Sequence, residues 1–549
     1  MSRAISAVQN PSRMPHARDV KRDFQATRAK IGSFIAQGRE REKASQTALF
    51  ISFTNVPAFA KLESLVAKSL QLRGYSPVFV TSSEFANARP YFELFGFKRF
   101  IFWDELVNRY PARQEYEEKA RALLPALSPA AIKDALYRGV PVGRHALSRA
   151  MRDKVQGRLE LANLKHAQLI YSELAKAIRN TDISNDLMDE LNPSVTFVRE
   201  LGYTPYAQPF AVGLVRGIPG VNWHPGQRAG SWVFKRHTSL ENPKIFLSID
   251  DTTWEQIRDR PLTADQEEQL RREFDGRYRP DSKHDTRCLQ EGKQLKTREA
   301  VQRQLGLDPA KKTAVIFSHL NWDAAFFYGK DLFQDFEEWL IQSVRAACTN
   351  DKVNWIIKLH PANVLKLKQR SGGDQLDEVV ALGKLGELPA HVQVLRPETD
   401  INSWSLYSVA DYGLTVRGTV GFELPCLGIN VLTAGTGGYS GFGFTVDSES
   451  THEYLERVRT IHTIPKLTEE QVALAKKHAY YLWLERQTSF EDVARVSHLR
   501  TLQATHPLQT NLNIEVSSLD EIEASRSLSA FARWIQCSSS PDLLASLNC

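Results

Sequence analysis

Short apolar runs alternate with amphipathic segments in two separate stretches of this 549-residue chain, and nothing else in the sequence limits its fold so tightly. In the first stretch, Ala48 to Thr54 reads as a strand buried on both faces, broken by Asn55-Val-Pro57. Lys61 to Arg73 follows, with Leu62, Leu65, Val66 and Leu70 at helical spacing and a stop at Gly74. Pro77–Thr81 and Phe100–Trp103 read as strands, residues 112–190 as several helices, and Ser194–Val198 and Pro219–Trp223 as further strands. The second stretch runs from Lys312, with strands at Thr313–Phe317, Val353–Leu359, Val392–Leu395, Tyr412–Val416 and Asn430–Thr433. Helices at Phe333–Cys348, Ile401–Val409 and Val420–Leu427 separate them. Strands returned by helices build parallel sheets, so the fold class is α/β with two Rossmann-like domains. Ligands of such domains sit beyond the carboxyl ends of the strands.

The expected divisions are an arm (1–45), an N-terminal domain with a helical insertion (46–260), a charged linker (261–311), a C-terminal domain (312–465), and C-terminal helices with a polar tail (466–549). Charge separates the arm from the rest. The chain carries 70 Lys plus Arg against 64 Asp plus Glu, and the whole excess of six lies in residues 1–45, so residues 46–549 are neutral. A neutral body excludes a nucleic-acid binder that depends on a broad cationic surface. The arm itself reads either as a solvated terminus, which is favoured, or as a peripheral contact with an anionic membrane. Five scattered cysteines without zinc spacing fit reduced thiols in a cytoplasmic protein, with no metal site expected. No secretory signal and no apolar run of membrane-spanning length is present.

Chemistry concentrates at strand ends of the second domain. Lys358-Leu-His360-Pro361 closes one strand and places a cation and an imidazole at its carboxyl edge. Thr415 to Glu423 runs through a tight turn into a helix. There Thr415, Gly418 and Thr419 offer hydroxyl and N–H groups to a phosphate, Arg417 adds charge, and Glu423 lies one turn on, where it accepts from ribose. The alternative is that Thr419 merely caps the helix and Glu423 is solvated. Ala434 to Gly443 is glycine-rich, and Gly437 and Gly438 permit close backbone approach to a ligand or simply mobility. It lacks the Lys-Ser/Thr ending of a P-loop. Ser318 and Asn321 follow the first strand of the domain and reach toward a diphosphate.

Lys358 to Pro361, the Thr415–Glu423 turn and the Pro425–Gly428 strand entry together resemble the capsule polysaccharide biosynthesis proteins, which are GT-B glycosyltransferases related to bacterial Kdo transferases. The similarity is most specific over about residues 310–450. It implies two facing Rossmann-like domains, a nucleotide-sugar donor, most simply CMP-linked, and donor contacts by His360, Thr415 and Thr419. It also implies a polysaccharide or glycolipid acceptor, other polysaccharide-assembly proteins as partners, no separate cofactor, and inverting, metal-independent transfer. The turn here is Thr-Val-Arg-Gly-Thr, not the adjacent serines of many relatives.

Transfer also needs a base, expected from the first domain. Glu200, at the end of a strand, is the candidate, and a plain surface glutamate is the alternative. His224, in a second His-Pro pair, is an alternative base or acceptor contact unless it is only a turn residue. Asp250-Asp251 is weak evidence for a metal. Two other functions remain open: a non-hydrolysing nucleotide-sugar epimerase, which needs several carboxylates in the first domain, and a non-catalytic binding protein of an assembly complex.

Overall fold

The computed structural model describes residues 17–36, 46–241, 245–280, 284, 289–290, 292–323, 326–363, 375–498 and 510–544. Much of the basic arm, with Arg3, Arg13, Arg39, Arg41 and Lys43, lies outside them. The first domain contains α1 (Ala17–Ala36), β1 (Gln46–Ile51), α2 (Pro57–Gln71), β2 (Tyr75–Thr81), β3 (Phe100–Phe102), α3 (Val142–Lys154), α4 (Leu164–Leu191), β4 (Pro193–Val198), α5 (Ala207–Val215), β5 (Gly220–Pro225) and β6 (Ser231–His237). The sheet order is β6-β5-β4-β1-β2-β3, parallel throughout except for β6. The sequence reading expected parallel sheets. The connection of residues 226–230 is too short for a crossover, so β6 can only fold back antiparallel on β5.

Alternation along β1 explains why it is apolar and buried at every position from Ala48 to Ile51. Leu49 and Ile51 face the α3 and α4 side, while Ala48 and Phe50 face α2. Phe50 stacks on Phe197 of β4 with ring centroids 4.4 Å apart. α2, started by Pro57, is buried all round and not on one stripe, including Lys61 and Glu63. The Lys61 ammonium donates to both Asp23 carboxylate oxygens of α1, at 2.9 and 2.8 Å, so part of the expected flexible arm is a docked helix. Lys21, Arg22, Arg28 and Lys30 remain exposed on its outer side.

The second domain contains α6 (Ala264–Tyr278), α7 (Arg298–Leu305), β7 (Lys312–Phe317), α8 (Phe336–Cys348), β8 (Val353–Lys358), α9 (Asp377–Gly383), β9 (Val392–Leu395), α10 (Ser403–Val409), β10 (Tyr412–Thr415), α11 (Val420–Glu423), β11 (Asn430–Thr433) and β12 (Val446–Asp447). Its sheet is wholly parallel, in the order β12-β11-β10-β7-β8-β9. Within the expected charged linker (261–311), α6 and α7 pack into the second domain. Leu270, Phe274 and Tyr278 of α6 and Val301 of α7 are buried with Phe317 and Tyr407 in this domain's core. Their apolar stripe is narrow and flanked by charge, so the sequence offers only a possible helix at Ala264–Phe274.

The chain then recrosses. α12 (Glu469–Tyr480) packs on the second domain, and β13 (Thr488–Ser489) extends the first sheet beside β6. The hairpin β14 (Ala494–His498) and β15 (Thr510–Ile514) and the helix α13 (Arg526–Cys537) pack on α2. Of the expected C-terminal helices, α13 contributes Phe531 and Trp534 to the first domain's core, and the expected polar tail adds Leu543. The molecule is thus two Rossmann-like domains facing each other in a GT-B-like arrangement, with helices at the C-terminus. Among the described residues no helix is long and apolar enough to cross a membrane.

Candidate functional site

One cleft of about 520 Å³ lies between the carboxyl edges of the two sheets. Its first-domain wall carries Glu200 and His224, and its second-domain wall carries Ser318, Lys358, His360, Thr415, Arg417, Gly418, Thr419 and Glu423. Thus ten of the thirteen sequence candidates meet in one cavity. Asn321, Gly437 and Gly438 do not line it.

Each exception has a packing reason. The Asn321 amide donates to Asp377 at 3.0 Å, and the Gly157 N–H donates to the same oxygen at 3.1 Å, so Asn321 belongs to the seam between domains. A Cβ on Gly438 would stand 2.5 Å from the Leu247 carbonyl oxygen. The glycine-rich loop therefore lies against the 245–248 segment, and Gly438 is required for backbone contact within the protein. Gly437 donates its N–H to Ser440 Oγ at 2.8 Å.

Lys358 is the most exceptional group on the second wall. It is 5% exposed, and no hydrogen bond or ion pair within the described residues holds its ammonium. Burial, reinforced by Lys293, pulls its pKa down to about 8 against the pull of Glu378. A buried cation without a partner is costly unless something anionic arrives from the cleft. His360 beside it donates its backbone N–H to Glu378 at 2.9 Å. Its Nδ1 accepts from Ala362 N–H at 3.2 Å, so the neutral ring carries its proton on Nε2. Thr419 precedes the four-residue α11 without a side-chain cap bond, so it does not merely cap the helix. The N–H groups of Thr419 and Val420 have no acceptor among the described residues. A single turn this short has little macrodipole, so the expected dipole assistance is small.

Three other expectations change in detail. Thr415 is fully buried, and its oxygen accepts from Gly418 N–H at 3.1 Å and meets His319 Nε2 at 3.1 Å. It shapes the turn, and its hydroxyl oxygen is already engaged there. Arg417 pairs with Asp331 at 2.5 Å and donates Nε to the Thr436 carbonyl at 3.0 Å, so its charge is already matched. Glu423 is 3% exposed, and one of its oxygens accepts from Tyr278 at 2.5 Å and Tyr407 at 2.8 Å. It is a buried acid held by two tyrosines, not a solvated one. Ser318 donates its hydroxyl to Glu378.

Two residues, His319 on this wall and Glu378 buried behind it, escaped the sequence reading. His319 Nε2 accepts from Val416 N–H at 3.0 Å, and burial with the nearby Arg417 holds its pKa down to about 3, so the ring is a neutral acceptor ordering the 415–418 turn. Its position next to Ser318 at a strand end was the available signal. Glu378, at the start of α9, gathers Ser318, the His360 N–H and Asn363, and burial raises its pKa to about 7. No sequence pattern marks it.

On the first wall, Glu200 pairs with Arg199 at 3.0 Å. His224 occupies the end of β5 and not a turn, and its ring is stacked on Phe246 at 3.9 Å. Burial takes its pKa down to about 4, with Glu200 opposing and Arg199 assisting. Tyr203 donates to Asp323 of the opposite domain at 2.5 Å, and Arg158 forks onto Asp335 at 2.8 and 2.9 Å, tying the walls together. Asp250 accepts from Thr252 N–H at the start of a helix, a capping role.

No family model and no curated protein sequence matches the chain. Solved structures similar to it include the β-Kdo 2,4 transferase of Thermosulfurimonas dismutans KpsC, 18% identical over 52% of this chain and 79% of that one, with a TM-score of 0.33. The UDP-GlcNAc 2-epimerase of Neisseria meningitidis is 11% identical over 79% and 95%, with a TM-score of 0.25. Anabaena HepE, in complex with UDP and glucose, is 12% identical over 80% and 95%, with a TM-score of 0.27. These likenesses are too distant to assign an activity, which has to be read from the cleft.

Proposed function

We propose that the protein is a glycosyltransferase that moves a sugar from a nucleotide-activated donor to a glycan or glycolipid acceptor in surface polysaccharide synthesis. The observation that carries this reading is one interdomain cleft that sets a buried lysine, with no hydrogen bond or ion pair among the described residues, beside His360 and Thr419 on one wall against Glu200 and His224 on the other.

In this reading the donor's phosphate lies against Lys358, His360 and the N–H groups of Thr419 and Val420. The acceptor hydroxyl attacks the anomeric carbon from the side opposite the phosphate. Glu200 takes the hydroxyl proton, the new glycosidic bond forms, and the bond to the phosphate oxygen breaks with its electron pair leaving on the nucleotide. Lys358 and His360 stabilise that departing charge, giving inversion without a metal. Glu200 is the stronger base candidate, because burial disfavours the imidazolium that His224 would have to become. A cytidine nucleotide is the donor class implied by the sequence resemblance.

An epimerase requires several acids on the first wall, and Glu200 is the one carboxylate the first domain places there among the described residues. The exposed Lys21, Arg22, Arg28 and Lys30 of α1 suit contact with an anionic membrane that carries a lipid-linked acceptor.

The test is sugar transfer with CMP-sugar and UDP-sugar donors in wild type and Glu200→Gln. Transfer lost in the variant while nucleotide binding stays within about twofold supports the reading. Product formed without any acceptor revives the epimerase, and binding without turnover under every condition leaves a non-catalytic binding protein.

A further inference from the structure

Behind the His224 wall lies a fully buried charge network joining the end of the described chain to the cleft. α12 runs into a π turn, Tyr481–Glu485, which Arg486 closes by donating its N–H to the Tyr481 carbonyl at 2.8 Å. Arg486 is thereby delivered to the interior with no exposed surface. One guanidinium nitrogen donates to the carbonyl oxygens of Phe246, at 3.0 Å, and Ser248; the other donates to Phe234 at 2.9 Å.

Carbonyls alone bring no countercharge to a buried cation. Asp542, also fully buried, supplies it, with Oδ1 at 3.3 Å from Arg486 and 3.7 Å from the Lys235 ammonium. Its other oxygen accepts from Asp250 N–H at 2.6 Å, and Lys235 donates to Ser248 Oγ at 2.7 Å. Burial alone would raise the Asp542 carboxyl, yet Arg486 and Lys235 outweigh it and keep the group below its ordinary value. The 245–248 segment is thus held by Arg486 and Lys235, and the glycine-rich loop closes on it at the Gly438 contact with Leu247. Ile245, Phe246 and Leu247 line the cleft, and the Phe246 ring covers the His224 imidazole at an interplanar angle of 15°.

We propose that Arg486 and Asp542 are positioning residues for the cleft: this buried pair fixes the 245–248 segment so that Phe246 covers His224, and the returning C-terminal chain sets the shape of the first-domain wall. The geometry stands by itself; only its catalytic consequence rests on the proposed transferase reading.

The experiment follows the His224 ring by NMR in full-length protein with labelled histidine, assigned by His224→Gln. Wild type is compared with Phe246→Ala and Asp542→Asn. The expected His224 midpoint is about 4 in wild type, and it moves toward the ordinary 6.5 in both variants. Arg486→Met removes the donors to the Phe246 and Ser248 carbonyls while Lys235 still matches the Asp542 charge, and it gives the same direction of change should Asp542→Asn fail to fold. Hydrogen exchange of the 245–248 amides rises in the network variants while that of the β1 and β8 amides stays as in wild type, which separates local loosening from a general loss of stability. A His224 titration and 245–248 exchange identical to wild type in a folded network variant overturn the proposal. Nucleotide binding measured on the same samples separates the two readings, because its absence sinks the transferase assignment and leaves the His224 result intact.

Discussion

Replacing Lys358 by methionine should make the ligand-free protein more stable and its ligand binding weaker, a pair of opposite effects that few substitutions share. Burial lowers the ammonium from 10.5 to about 8. Each pKa step corresponds to 1.36 kcal/mol, so holding the cation inside at pH 7 costs about 3 kcal/mol, which Lys358→Met removes while keeping the length of the chain. The sign follows from proton counting. Between about pH 8 and 10.5 the unfolded chain still holds the proton that the folded protein has shed, so the penalty is fully present at pH 7 and fades as pH rises through that window.

A phosphate in the cleft receives a charge-assisted hydrogen bond from Lys358, and losing a bond of that kind weakens affinity about tenfold to a hundredfold. Bound phosphate also raises the lysine's pKa, so wild-type affinity falls about tenfold between pH 7 and pH 9 as the free lysine deprotonates, and the variant loses that dependence. Denaturant unfolding and calorimetric nucleotide titration at both pH values read the two effects. A variant that is less stable than wild type, or binds nucleotide equally well, refutes the assignment of Lys358 as an uncompensated cation waiting for an anion.

Two further outcomes follow from the same wall. His319→Ala strips the Val416 N–H of its acceptor and should cost about 1–3 kcal/mol in denaturant unfolding, with weaker nucleotide binding because the 415–418 turn loosens. Glu378→Gln should flatten the stability profile between pH 4.5 and 7: the folded carboxyl holds its proton up to about 7, so wild-type stability from this group is lost as pH rises through that range and the variant is spared the loss. A wild-type profile in the variant contradicts the burial of Glu378.

The strands were legible because parallel strands buried on both faces carry continuous apolar runs, as Ala48–Ile51 does in β1 and Trp355–Ile357 in β8. β6 was hidden because Ser231, Lys235 and His237 interrupt its run, and α6 showed only as a possible helix at Ala264–Phe274 because charge surrounds its narrow stripe. In the cleft, Lys358, His360, Glu200 and His224 could be found because strand-end position alone places a side chain near the sheet's carboxyl edge. What position does not reveal is whether a group is already satisfied. The partners of Arg417, Thr415 and Glu423 come from Asp331, His319, Tyr278 and Tyr407, tens to more than a hundred residues away except for Tyr407. Glu378 and the Arg486–Asp542 pair belong to the same class: buried polar groups whose meaning exists only once the fold brings distant segments together.

The central claim is that the second-domain wall of the cleft binds the nucleotide of a sugar donor. Calorimetric titration of CMP, CDP, UMP, UDP and GDP into wild type and His360→Ala tests it most directly. The account predicts selective binding of a cytidine nucleotide that weakens at least about tenfold in the variant, as expected for loss of a charge-assisted contact. No binding of any nucleotide, or equal binding by both proteins, contradicts it.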